Sequence, residues 1–329
     1  MKKGDDKPKI AIAGASGRFG SRIAYLTSAV YDVVLLQHRS PVSGRAKAII
    51  SGFDITKEAA TRKIIEKLAS MGVRTIVNCT GDVSVDAAEE TRGSQEGEMY
   101  KVNVVGPANL AKSCRDNGVK LIHLSTEYVF DGRKPIGEKY SEEDKANTNI
   151  NDAPTWYGIT KAMGERQVLD TFPQGAVIIR FSQLQSPAGG LFLKTLTNLQ
   201  RKLKFTRASN QMISPITDVT AVAALHQIET AMHNRNFCGI IHVSALDTHT
   251  PYHTCLMLAK AYGLFMRTKQ LIKPLTLQQI VTSGEQKVLR PLNSVLDTRK
   301  FRQEFGNHLI HSVEEEIQRF YTLYPKAGK

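Results

Sequence analysis

Tyr157 and Lys161, in the run Tyr157-Gly-Ile-Thr-Lys161, are spaced so that one helical turn puts phenol and ammonium on the same face. A cation beside a phenol favours the phenolate, lowering a tyrosine pKa from its usual value of about 10. A tyrosine tuned in this way serves as general acid or base near neutral pH. The lysine is also placed to bind a cofactor ribose. Of the ten tyrosines only Tyr157 has a lysine four residues on, a spacing expected about once by chance in so basic a chain, so its position must carry the argument. Upstream, the apolar run Leu121–Leu124 ends in Ser125-Thr126. Hydroxyls at the end of such a strand can hydrogen-bond a substrate carbonyl, or simply cap the strand.

A second constellation lies near the amino terminus. Ile10-Ala-Ile-Ala-Gly14-Ala-Ser16-Gly17-Arg18-Phe19-Gly20 reads as a strand entering a helix through three glycines. Gly14 permits the tight turn, Gly17 lets backbone N–H groups approach a pyrophosphate, and Gly20 allows the helix to pack closely. The helix N-terminus adds partial positive charge. The next predicted strand ends in Gln37-His38-Arg39-Ser40, where an NAD site would carry an acid for the ribose 2′-hydroxyl. A guanidinium there suits a 2′-phosphate, with Arg18 in support. NADP(H) is the expected cofactor and NAD(H) the alternative.

The elements that hold these groups follow from periodicity. Short apolar runs at 10–13, 33–36, 75–77, 121–124 and 177–179 alternate with helical stretches at 18–29, 57–70, 100–117 and 157–170. Strands apolar on both faces and separated by helices imply an α/β, doubly wound parallel (Rossmann) sheet. Residues 1–180 are expected to form the dinucleotide-binding domain. Residues 181–329 would form mostly a substrate lobe, with a strand expected at Ile240–Val243 and about 219–262 returning to the first body. The charged stretch 131–154 is the longest expected loop, lying between the two candidate catalytic pieces, where a loop beside the substrate is expected.

Composition narrows the classes. The chain has 329 residues, with 44 Lys plus Arg against 31 Asp plus Glu, giving a formal charge of +13. That excess favours anionic ligands. A nucleic-acid reading rests on charge alone, because the basic stretch 194–207 carries no recognised module; it reads as a cationic helix end or a diphosphate contact. Four dispersed cysteines lack metal-ligand spacing, and the histidines show no ligating pattern, so no metal is expected. No run approaches a membrane span, and the expected location is cytoplasmic.

Several blocks together resemble the extended short-chain dehydrogenase/reductases, and within them the dTDP-4-dehydrorhamnose reductase family with its relative, the methionine adenosyltransferase β regulatory subunit. The blocks are the glycine turn, Phe53-Asp54-Ile55-Thr56, Val85-Asp-Ala-Ala-Glu89, Val102-Asn103, Ser125-Thr-Glu-Tyr-Val-Phe-Asp-Gly132, Tyr157-Gly-x-x-Lys161, Ser214-Pro-x-Thr-Asp-Val219 and Arg290-Pro-x-Asn-Ser-x-Leu-Asp297. The resemblance implies that a catalytic set of Thr126, Tyr157 and Lys161 reduces the 4-keto group of a nucleotide-linked deoxysugar with NADPH. Thr126 would polarise the ketone and Tyr157 would protonate its oxygen. It further implies that Asp54-Ile55 border the adenine and that Cys79-Thr80-Gly81, with Asn103, line the cofactor. Asp82, Glu127, Tyr128, Gln183 and Arg290 would face the sugar nucleotide, and the protein would be a homodimer. Glu127 stands where the family usually has Asp, Asp82 where it has an aromatic, Gln183 where it has Trp, and Arg22 where some members have a metal-binding Glu. Those changes motivate a second expectation, a cofactor-binding regulatory subunit docked on a partner enzyme.

Overall fold

The computed structural model describes residues 7–42, 44–152, 154–325 and 327. Seven strands form one parallel sheet: β1 (Lys9–Ala13), β2 (Asp32–Gln37), β3 (Ala48–Ser51), β4 (Val73–Asn78), β5 (Lys120–Thr126), β6 (Ala176–Phe181) and β7 (Gly239–Val243). Their order is β3-β2-β1-β4-β5-β6-β7. The chain therefore reverses direction across the sheet between β1 and β4, the point at which a doubly wound sheet leaves a crevice beyond its strand ends.

Alternation along each strand builds two cores. Ile10, Ile12, Val33, Leu35, Val77, Ile122 and Ile179 face one layer. Ala11, Ala13, Val34, Leu36, Ile76, Leu121 and Ile178 face the other. Successive side chains point to opposite faces of a strand, so a sheet covered on both sides must be apolar at every position. The covering helices include α1 (Arg18–Thr27), α2 (Glu58–Ser70), α3 (Gly106–Asp116) and α4 (Trp156–Thr171).

The helix expected over 100–117 is interrupted. Residues Lys101–Val105 make a wider π-type turn before α3 begins. Such one-turn widenings recur at functional sites. Here a Cβ built on Gly164 of α4 would lie 2.1 Å from the Asn103 carbonyl oxygen, so glycine is what allows α4 to press against the wide turn. Strand β3 was not foreseen: it is a four-residue edge strand with a largely open face.

Beyond β6, helix α5 (Leu191–Gln200) is followed by α6 (Asp218–Asn234), β7, α7 (Pro251–Ala261) and α8 (Val313–Leu323). Helix α8 docks through Phe320, whose ring meets Phe192 of α5 edge-on at 5.3 Å. A separate parallel pair joins Phe205–Ala208 to Ile272–Leu275. The loop 131–154, expected beside the substrate, instead packs against 293–297. Asn293 Nδ2 donates to the carbonyls of Lys134, Pro135 and Glu138, and Tyr140 bridges to Leu296. Backbone groups between Lys134 and Glu138 that have no strand to join are satisfied by that one asparagine.

Candidate active site

The turn after β1 is shaped by contacts only glycine tolerates. Gly14 has φ +76°, and a Cβ there would lie 2.7 Å from the Cys79 carbonyl carbon and the Thr80 nitrogen. A Cβ on Gly20 would lie 2.1 Å from the Gly14 oxygen. Helix α1 has no side-chain cap and no acid in its first turn, which leaves its leading N–H groups available to an anion. At the end of β4, Asn78 Oδ1 accepts from the Thr80 backbone and hydroxyl at 3.1 and 2.6 Å. Asn103 clamps Asp82, two residues on, accepting from its nitrogen and donating to its carbonyl at 2.9 and 3.0 Å.

Helix α4 is capped by Thr155, whose hydroxyl accepts from the Gly158 nitrogen at 3.1 Å. A Cβ on Gly158 would lie 2.1 Å from the Tyr128 oxygen. This close approach seats Tyr157 against Tyr128, ring centroids 5.9 Å apart and edge-on. Two hollows meet at Tyr157. One, of about 290 Å³, runs from Gly17–Gly20 past Cys79-Thr80-Gly81 to Lys161. The other, of about 690 Å³, is walled by Thr126–Tyr128, Gln183, Lys194, Arg207, Gln211 and Arg290. Arg18, Ser125 and Tyr157 border both.

The charges here differ in one respect from the sequence expectation. Lys161 Nζ donates to the Leu124 carbonyl at 2.7 Å and lies 3.3 Å from His123 Nε2, and no hydrogen bond joins it to Tyr157 among the described residues. Burial and the neighbouring Glu127 push the Tyr157 phenol above its ordinary value rather than below it. Burial lowers Lys161 to about 8, opposed by Glu165 and Cys79. The i, i+4 spacing put the two residues on one face, but the β5 carbonyl captures the ammonium. Burial also raises Glu127 to about 7, with its own backbone and the Thr126 hydroxyl pulling the other way. Thr126 is committed twice: its hydroxyl donates to Glu127 at 3.2 Å and accepts from the Tyr128 nitrogen at 3.2 Å. The Ser125 hydroxyl, by contrast, is shut from water with no partner among the described residues.

Other expected residues lie outside the two hollows. His38, Arg39 and Ser40 are exposed at the end of β2, with His38 Nε2 3.6 Å from Asp54. Asp54 is half-buried and accepts from Thr56, while Ile55 is buried beneath Gly106. Ser16 is exposed beside the turn. Asp82 is occupied with Asn103 and Ser84. Trp156, next to Tyr157, is buried with Met99 and Ile159 and lines neither hollow. Arg290 borders the larger hollow but donates to Asp86 at 2.6 Å.

The model of the RmlD substrate binding domain matches residues 8–324. The chain belongs to that family. Similar to this family member is a dTDP-4-keto-6-deoxy-D-glucose reductase of Streptomyces niveus, 29% identical over 95% of this chain and 96% of its own. A methionine adenosyltransferase 2 subunit beta of Xenopus tropicalis is 28% identical over 79% of this chain and 72% of its own. In fold, a Bacillus anthracis dTDP-4-dehydrorhamnose reductase solved with NADP superposes with TM-score 0.76 at 22% identity, covering 96% of this chain and 99% of that one. Arg22 donates to the buried Asp218 at 2.6 Å and to Tyr324 at 2.7 Å. No metal-ligating cluster of His, Cys, Asp and Glu occurs among the described residues. Gln185, Leu191 and Gln211 of the larger hollow went unnoticed in the sequence, because single polar or apolar residues on three separate elements leave no shared motif.

Proposed function

We propose that this protein is an NADPH-dependent reductase of the 4-keto group of a nucleotide-activated deoxysugar, similar to dTDP-4-dehydrorhamnose reductase. The observation that carries it is the meeting of the two hollows at Tyr157, one against the uncapped α1 terminus and the other lined by cations. The cradle fits a dinucleotide: a Cβ at Gly14 or Gly20 would strike the backbone of Cys79-Thr80 or of Gly14 and push the turn open, and the first-turn N–H groups suit a pyrophosphate. Gly17, Arg18, Phe19 and Gly20 would hold the diphosphate side, Cys79-Thr80-Gly81 the middle, and Tyr157 with Lys161 the nicotinamide ribose. Arg39, exposed at the surface, would select the 2′-phosphate. When bound, the reduced nicotinamide supplies the hydride.

Tyr157 donates the proton that the reacting carbonyl oxygen acquires. Its high proton affinity makes it a proton holder, suited to the reduction direction. Thr126 can turn its own proton to that oxygen when Glu127 is protonated, because the carboxyl then donates to Thr126 rather than accepting from it. Lys194, Arg207 and Arg290 face the diphosphate of the sugar nucleotide; their convergence fits a dianion better than a neutral sugar. The test is oxidation of NADPH, followed by absorbance, over a panel of dTDP-, UDP-, GDP- and CDP-linked 4-keto sugars. Turnover with none of them would refute the reading.

A second reading, a cofactor-binding regulatory subunit on a partner enzyme, is favoured by one observation: the ammonium of Lys161 is tied to the Leu124 carbonyl rather than to Tyr157. Co-purification with an enzyme partner, without NADPH oxidation, would decide for it.

A further inference from the structure

Beneath the smaller hollow runs a buried polar chain that the proposed reaction does not itself require. It links Thr80, Asn78, His123 and Lys161, and both Asn78 and His123 are fully buried. The direction of each hydrogen bond in it can be assigned. The Thr80 backbone N–H can only donate, and it points at Asn78 Oδ1 at 3.1 Å. The amide nitrogen of Asn78 therefore faces the ring, 2.9 Å from His123 Nδ1. An amide nitrogen has hydrogens and no lone pair to offer, so His123 Nδ1 must accept.

Burial and the neighbouring Lys161 hold His123 well below its ordinary pKa, so the ring is neutral and carries one proton. With Nδ1 accepting, that proton sits on Nε2, which lies 3.3 Å from Lys161 Nζ. A neutral amine can accept this N–H, whereas an ammonium has no lone pair to do so. The other titratable groups facing Lys161 are Cys79 at the end of β4, and Tyr157 and Glu165 one turn away on α4. Glu165 is already paired with Arg180 at 2.6 Å, both 2% exposed.

We propose that Asn78 and His123 are positioning residues for Lys161: Asn78 fixes His123 as the Nε2–H tautomer, and that N–H, aimed at Lys161 Nζ, makes the lysine release its proton more readily. Lys161 keeps its bond to the Leu124 carbonyl in either state, so proton loss needs no movement of the side chain. The lysine that would support Tyr157 thereby becomes able to give and retake a proton near neutral pH.

Two variants reverse the chain's polarity. Asn78→Asp places a carboxylate oxygen against Nδ1, moves the ring proton there and leaves Nε2 as an acceptor for the ammonium. The double variant Asn78→Asp, His123→Gln does the same with an amide, whose nitrogen donates to the new carboxylate and whose oxygen then faces Lys161. Long-range nitrogen–proton NMR of the intact chain reads the tautomer. Carbon-13 titration of the lysine side chains, assigned with Lys161→Arg, reads the proton affinity. The expected wild-type ring is Nε2–H, and in both variants Lys161 titrates about one pH unit or more higher, a roughly tenfold change. An Nδ1–H ring in the wild type, or a Lys161 titration unmoved in both variants, overturns the proposal. A change in melting temperature alone, without movement of the titration, means a structural role only and overturns it too. The kinetic consequence rests on the reductase reading: the fall of kcat at alkaline pH moves upward in both variants. If the wild type reduces no sugar nucleotide, that reading fails while the NMR outcome still decides the tautomer.

Discussion

Glu127→Gln isolates the strongest electrostatic claim about the site. Glu127 is 5% exposed, and burial raises its carboxyl from an ordinary 4.5 to about 7. A carboxyl that binds its proton more tightly when folded favours the native state below the unfolded pKa. That contribution fades as pH rises through the folded value. The difference of about 2.5 units, at about 1.36 kcal/mol each, corresponds to about 3 kcal/mol. Glutamine keeps the shape and cannot ionise. Relative to the variant, the wild type should therefore lose about 3 kcal/mol of stability between pH 4.5 and pH 8.5, with most of the change below pH 7.5. Taking the difference between the two proteins removes the common slope from other acids raised by desolvation, such as the half-buried Glu142 and the buried Glu316. Urea unfolding across this pH range measures it. Parallel stability curves for the two proteins would refute the burial argument, and with it the claim that a protonated Glu127 frees the Thr126 hydroxyl.

Three other outcomes are expected. Tyr157→Phe removes the donated proton, so turnover should fall at least 10²-fold while NADPH still raises the melting temperature; near-normal turnover would show that another group is the acid. Glu165→Ala strands the Arg180 guanidinium, which is 2% exposed, and should cost about 3–5 kcal/mol in urea unfolding. Arg39→Ser removes the guanidinium at the end of β2, so the ratio of KM for NADPH to KM for NADH should rise about tenfold or more, as loss of a charged hydrogen bond of about 1.5–3 kcal/mol would give.

Sequence alone was enough for the scaffold. Five of the seven sheet strands and the four helices among them follow from apolar runs and spacing, and Ile240–Val243 was legible as a further strand. Periodicity succeeds there because a strand buried on both faces and a helix buried on one leave different repeats. The glycine turn was legible for a related reason: positive φ at Gly14 and the missing Cβ at Gly20 are local demands that only one residue type meets. Edge strand β3 escaped because its face is open and its pattern has little to bury.

What the tertiary structure decided was the electrical state of the site. Spacing put Tyr157 and Lys161 on one helical face, yet the ammonium binds the Leu124 carbonyl of β5, and Tyr157 is left half-buried beside Glu127. It also sent the loop at 131–154 to Asn293 rather than to the larger hollow, and set Gln185, Lys194 and Gln211 around that hollow. The physical reason is that proton affinities and hydrogen-bond partners depend on distance and on exclusion of water. Both are set by elements far apart in the chain, whereas turns and periodic faces are written in neighbouring residues.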